Sequence, residues 1–141
     1  MSLQERIPIS TIMSTKLVVL NTTDSLEKAE HLFNTHRIRH IPVIQERKIV
    51  GMLSLTDLLR ISFADGAYED DDEVETVVYD MFSIPQVMAK KIISVSPQTT
   101  IREVAEILAK EEFHALPVVD RDELVGIVTT TDLIRYLLNQ Y

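Results

Sequence analysis

Two stretches of this chain repeat one another, and that repetition narrows the possible folds before any other property is weighed. Residues 41–60 read IPVIQERKIVGMLSLTDLLR and residues 116–135 read LPVVDRDELVGIVTTTDLIR. Each holds an apolar-Pro-Val-apolar run, a polar tetrad, a Val-Gly step and then Thr-Asp-Leu. At a constant offset of 75 residues Met13 falls on Met88, Lys16 on Lys91, Pro42 on Pro117, Gly51 on Gly126, Asp57 on Asp132 and Arg60 on Arg135. The same polar constellation therefore stands in each half, as a paired binding site requires.

Local patterns give each half an order of elements. Leu17–Leu20 (LVVL) and Ile92–Val95 (IISV) are short, β-branched apolar runs suited to buried strands. Asp24 is the N-cap candidate for the next segment, with Glu27 three residues on. Leu26, Ala29, Leu32 and Phe33 then recur at helical spacing, and Ile101, Val104, Ile107 and Leu108 repeat that stripe. Pro42 and Pro117 end those helices and favour extended backbone just before them. Two strands, 42–44 and 48–54, follow around the polar turn Gln45–Arg47. Thr56-Asp57 and Thr131-Asp132 open a last helix. The predicted unit is β-α-β-β-α, an α/β (α+β) pattern whose apolar face a second copy covers.

Charge separates the repeats from what joins them. Eight acids and no base lie between Asp65 and Asp80; without them, fourteen Asp and Glu face fourteen Lys and Arg. The net charge of −8 thus belongs to the connector. Nucleic acid is disfavoured as a partner, because phosphate binding needs clustered cations. The connector reads as a solvated linker. A divalent-cation site from Asp70, Asp71, Asp72 and Glu75 is the weaker reading, since consecutive acids lack the spacing of a dedicated loop. No apolar run approaches the roughly 18 residues of a membrane span, and MSLQERIPIS lacks the apolar stretch of a secretory signal. With no cysteine there is neither disulfide nor thiolate chemistry, and a cytoplasmic location is expected.

The β-α-β-β-α order, the apolar-Pro-Val-apolar strand and the Gly-h-h-[Ser/Thr]-x-[Ser/Thr]-Asp-Leu run that follows it, h being apolar, resemble a cystathionine-β-synthase-type (CBS) domain. Two in tandem resemble a Bateman module. The resemblance covers about residues 8–62 and 83–140, giving repeats at 1–63 and 83–141 about a connector at 64–82. It implies a pseudo-two-fold pair acting as a regulatory module. Its ligand would be an adenosine nucleotide or derivative (AMP, ADP, ATP, S-adenosylmethionine or NAD) in clefts between the repeats. It also implies a homodimer assembled through the last helices, with Phe63, Tyr136 and Tyr141 near the contact.

The residues support the ribose part of that picture. One carboxylate can accept from both hydroxyls of a vicinal diol, which suits Asp57 and Asp132 at the passage from strand to helix. Capping the helix is the alternative role of an Asp there. Ser54, Thr56, Thr129 and Thr131, beside helix N-termini, are placed for phosphate oxygens or for ordinary cap satisfaction. In adenylate-binding members of the family, basic residues just before the Pro-Val strand reach phosphate. By position those are Arg39 and His40 in one repeat and His114 in the other, where Ala115 supplies no charge. Arg60 and Arg135 are further cations, or surface partners of nearby acids. Ile41, Pro42 and Leu17 would line one adenine cleft, and Leu116, Pro117 and Ile92 the other, unless they serve only the core. Thr15, Lys16, Lys90 and Lys91 stand where family members hold ribose or base.

Nothing points to catalysis. The chain lacks G-x-S-x-G, G-x-x-x-x-G-K-[S/T] and H-E-x-x-H, and its three glycines build no phosphate loop. His36 and His40 are four apart with no third metal ligand evident. Two functions of different class remain. One is a sensor whose bound adenine compound, a regulatory ligand rather than a required cofactor, shifts a conformational population and acts on a separate protein. The other is a ligand-free scaffold that dimerises around a partner.

Overall fold

The computed structural model of the chain describes residues 6–64, 79–111 and 113–141. Helices and strands mix in an α+β fold, divided into two compact units that do not coincide with the repeats. One unit is Val18–Ile92 and holds Asp57; the other joins the described residues up to Leu17 to Ile93–Tyr141 and holds Asp132.

The Asp57 unit contains β1 (Leu20–Asn21), α1 (Leu26–His36), β2 (His40–Gln45), β3 (Lys48–Ser54), α2 (Leu55–Ala64) and the short α3 (Ile84–Val87). The sheet order is β1-β2-β3, with β1 parallel to β2 and β2 antiparallel to β3. The Asp132 unit opens with a 3₁₀ turn at Ile9–Thr11 and continues with α4 (Ile101–Glu111), β4 (Ala115–Asp120), β5 (Glu123–Thr129) and α5 (Thr130–Leu138). Its β4–β5 hairpin has the register of β2–β3.

The first strands are shorter than LVVL and IISV suggest. Only Leu20–Asn21 pairs in one case, and the other shrinks to a single parallel bridge, Val95 to Val118. The reason is connectivity: the chain passes from one unit to the other after Leu17 and after Ile92, so the front of each run belongs elsewhere. The cap of α1 is also corrected. Ser25, not Asp24, accepts from the Lys28 N–H, at 3.1 Å. Asp24 instead closes the preceding turn, accepting from the Asn21 N–H at 2.7 Å and pairing with Lys28 at 3.2 Å.

Periodic apolar positions become two cores. Leu26, Ala29 and Phe33 of α1 bury against Leu20, Ile41, Val43, Leu53 and Leu58. Ile101, Val104 and Leu108 of α4 bury with Val95, Leu116, Val118 and Val128. Each core is completed by a segment from the other side of the sequence. Ile9, fully buried, joins the Asp132 unit, with its N–H on the Thr99 carbonyl at 2.7 Å. Ser14 there exchanges both backbone hydrogen bonds with Ile127, at 2.8 and 3.0 Å. In the Asp57 unit, Ile84 is buried and Ala89 pairs likewise with Met52, at 2.9 and 3.0 Å. Both hairpins turn through two left-handed residues, Glu46 and Arg47 in one, Arg121 and Asp122 in the other.

Among the described residues no helix is long and apolar enough to cross a membrane, and no group of three or more His, Asp or Glu is placed to hold a metal. The acidic cluster Asp70, Asp71, Asp72 and Glu75 and the Phe63 side chain lie outside the described parts of the chain.

Candidate functional site

Each hairpin ends in a hydroxyl residue and turns directly into a helix whose third position is Asp. In the Asp57 unit the Ser54 hydroxyl accepts from the Asp57 N–H at 3.0 Å, and Asp57 Oδ2 accepts from the Ser54 N–H at 3.2 Å. In the Asp132 unit the Thr129 hydroxyl accepts from the Asp132 N–H at 3.2 Å. Asp132 Oδ2 accepts in turn from the Thr129 N–H at 2.8 Å and from its hydroxyl at 3.1 Å. Both are capping boxes, which corrects the expected role of the aspartates. The helices start earlier than Thr56-Asp57 and Thr131-Asp132 suggest, at Leu55 and Thr130, with Ser54 and Thr129 as the capping residues. Each Asp sits at the third helical position and accepts from the N–H three residues before it, not from those ahead. That role occupies Oδ2 only. A carboxylate offers about four lone-pair sites, which leaves Oδ1 able to accept more.

Oδ1 differs between the units. The Arg60 guanidinium stands 3.9 Å from Asp57 Oδ1, with the arginine side chain 74% exposed. Such a solvated pair contributes about 0.3–0.5 kcal/mol and is easily displaced by a ligand. No ion pair links Arg135 to Asp132, although the spacing is the same.

The segment before each hairpin is held against this junction by its backbone. The Arg39 carbonyl accepts from the Leu55 N–H at 2.9 Å, leaving the Arg39 side chain exposed. The His114 carbonyl accepts from the Thr130 N–H at 3.0 Å and from its hydroxyl at 3.3 Å. Thr130 is a residue that sequence reasoning passed over. Its partner in the first repeat is Leu55, so the repeat carries no hydroxyl there to draw notice. His40 opens β2 half-buried and opposite Ser54, whereas Ala115 opens β4 buried and opposite Thr129. Arg39, His40, Ser54, Thr56, Asp57 and Arg60 thus gather around one helix start, and His114, Thr129, Thr131, Asp132 and Arg135 around the other. Thr56 and Thr131 are exposed in the first helical turn.

The remaining candidates are placed differently. Ile41 and Leu116 are enclosed by the two cores, and Pro42 and Pro117 are buried within their strands. Leu17 and Ile92 are half-buried, while Thr15, Lys16, Lys90 and Lys91 are exposed. Leu17 ends the first segment of the unit that contains Leu116, and Ile92 ends the unit that contains Ile41, the reverse of their expected grouping with Ile41 and Leu116.

The family model described as CBS domain matches residues 9–64 and again 84–139. An inosine-5'-monophosphate dehydrogenase from Korarchaeum cryptofilum is 30% identical over 118 residues, 83% of this chain but 21% of the dehydrogenase. This chain therefore spans about a fifth of that relative's length. Among solved structures, a Vibrio cholerae protein provisionally assigned to acetoin utilization (AcuB) matches with a TM-score of 0.79 at 30% identity, covering 95% of this chain and 92% of that one. CBSX2, crystallised in complex with AMP, matches with a TM-score of 0.77 at 24% identity over 95% and 98% of the two chains.

Proposed function

The chain belongs to the CBS-domain family, and from that membership we propose that it is a regulatory module that binds an adenosine nucleotide or derivative and performs no catalysis itself. The candidate ligands are AMP, ADP, ATP, S-adenosylmethionine and NAD. The observation that carries this reading is the recurrence, in both units, of a capped strand-to-helix junction whose Asp keeps Oδ1 out of the cap. That oxygen suits a ribose diol, and the adjoining hydroxyls and helix N–H groups suit phosphate. AMP held by the structural relative CBSX2 supports the ligand class.

In this reading Asp57 and Asp132 take ribose, while Ser54, Thr56, Thr129 and Thr131 are the candidate phosphate contacts together with Arg39, His40, His114, Arg60 and Arg135. Half-buried Leu17 and Ile92 supply apolar contact to adenine more readily than Ile41 and Leu116, which the cores already enclose. Thr15, Lys16, Lys90 and Lys91 flank the ligand. The repeats run 1–63 and 83–141, the module is cytoplasmic, and it acts as a homodimer on a separate protein. For the dimer contact the reading relies on α5, which has no buried residue and leaves Ile134, Leu137 and Leu138 more than half exposed.

Thermal shift with the five compounds, on the native chain and on Asp57→Ala and Asp132→Ala, tests the proposal. A ligand at about 100 times its Kd adds about 2.7 kcal/mol of stability. The expected result is a raised midpoint with an adenine compound, abolished by at least one substitution. If no compound moves the midpoint and both variants merely lose their caps, the module is a ligand-free scaffold.

A further inference from the structure

The two junctions share a backbone design but differ in charge: Arg39 and Arg60 outnumber Asp57 at one, while at the other Arg135 only balances Asp132. From this we infer that the Asp57 junction selects a phosphorylated adenosine nucleotide, whereas the Asp132 junction takes an adenosine derivative without phosphate, neutral or cationic. The inference rests on the adenosine-binding reading above and narrows it: the phosphate role stays with Ser54, Thr56, Arg39, His40 and Arg60, and is withdrawn from Thr129, Thr131, His114 and Arg135.

Residues 36–40 read His-Arg-Ile-Arg-His, and the aligned residues 111–115 read Glu-Glu-Phe-His-Ala. Two arginines and two histidines in one segment thus stand against two glutamates and one histidine in the other. In space the contrast is fixed at Arg39 and His114, whose carbonyls are bonded to the first helical N–H of Leu55 and Thr130. These two residues therefore lie against the helix starts whatever their side chains do. Arg39 has an exposed side chain there, and the neighbouring His40 faces Ser54 across the hairpin.

The carboxylates sharpen the contrast. Asp57 has the Arg60 guanidinium 3.9 Å from Oδ1, which partly offsets the carboxylate's repulsion of an incoming phosphate. Asp132 lacks such a pair, and buried Ala115 puts a methyl where the other hairpin has an imidazole. The Thr129 hydroxyl also donates to Asp132 Oδ2, so its proton is already committed and is not offered to a phosphate oxygen. A diol can still bind Asp132, and a positive centre is favoured there while a phosphate is not.

Calorimetric titration of the full chain with AMP, adenosine and S-adenosylmethionine tests the division, using Arg39→Glu, the milder Arg39→Gln and His114→Glu. Arg39 and His114 are exposed and hold the junction by backbone carbonyls, and a melting curve checks that each variant folds. Loss of a charged contact to phosphate is expected to weaken AMP by about tenfold or more in Arg39→Glu. Arg39→Gln should fall between, and His114→Glu should leave AMP unchanged. Adenosine or S-adenosylmethionine should bind the Arg39 variants as tightly as the native chain. Unchanged AMP affinity in Arg39→Glu, or AMP weakened by His114→Glu instead, overturns the division while leaving adenosine binding intact. Equal loss of AMP and adenosine in Arg39→Glu also overturns it, since one site then serves both. If none of the three compounds binds, the adenosine reading itself falls, and this inference with it.

Discussion

At Gly51 the backbone of β3 runs so close to Met88 that a Cβ would overlap its sulfur. At Gly126 a Cβ would lie 2.6 Å from the Met13 sulfur and 3.1 Å from the Ser14 carbonyl oxygen. Neither glycine has positive φ, so close approach, and not conformational freedom, excludes a side chain. The crowding atoms at Gly51 all belong to one flexible thioether, whereas Gly126 also meets backbone. Gly126→Ala should therefore be the costlier change, at about 1–3 kcal/mol, read as a lower urea midpoint. Gly51→Ala should cost less and recover on adding Met88→Ala. The repeat makes Met13 equivalent to Met88 and Gly51 to Gly126. It does not show that Met88 covers Gly51 while Met13 covers Gly126, because sequence equivalence is not contact. The aspartate junctions are legible in place, because a capping box is made within four residues, but not in role. Thr-Asp points to Asp as the cap, whereas Ser54 and Thr129 cap and each Asp stands at the third helical position.

Among the elements, the hairpins show how far local chemistry can bend. A two-residue turn with both residues left-handed usually holds Asn-Gly or Asp-Gly. Here the pairs are Glu46-Arg47 and Arg121-Asp122, with φ of 53°, 71°, 52° and 67°. A left-handed conformation costs a non-glycine residue about 1–2 kcal/mol, so the strands on either side must hold the turn. Ile41, Val43 and Leu53 in one hairpin and Leu116, Val118 and Val128 in the other are buried enough to do so. Replacing Glu46-Arg47 by Asn-Gly should therefore stabilise the chain by about 1 kcal/mol or more, seen as a higher urea midpoint with unchanged slope. No gain would show that the turn side chains make compensating contacts. The strands themselves were readable from Pro-Val and Val-Gly runs flanking a polar tetrad. The first strands were not, because LVVL and IISV record β-propensity and carry no mark of where the chain leaves one unit for the other.

The whole molecule is cut differently from its sequence. The family model matches 9–64 and 84–139, yet the described residues up to Leu17 fold with Ile93–Tyr141. Ile9 therefore serves a core whose other buried members begin some eighty residues later, at Val95, with Met13 packed against it and Ser14 bridged to Ile127. Loop-closure entropy opposes such a contact only logarithmically with length, and a fully buried Ile repays it with about 1.5–3 kcal/mol of burial. Ile9→Ala removes most of that side chain and leaves a cavity, so it should destabilise by about 2–5 kcal/mol. The location of the damage distinguishes this architecture from one in which each repeat folds on its own segment. Native-state hydrogen exchange should show the amides of Val104, Val118 and Val128 losing protection first, with those of Val43 and Leu53 following only at the global limit. Loss confined to the Asp57 unit would contradict the exchange of segments. Equal loss in both would show that the two units open as one. Ile84→Ala should give the mirror result, since Ile84 enters the core of Leu20, Ile41 and Leu53 as Ile9 enters that of Leu116 and Val128.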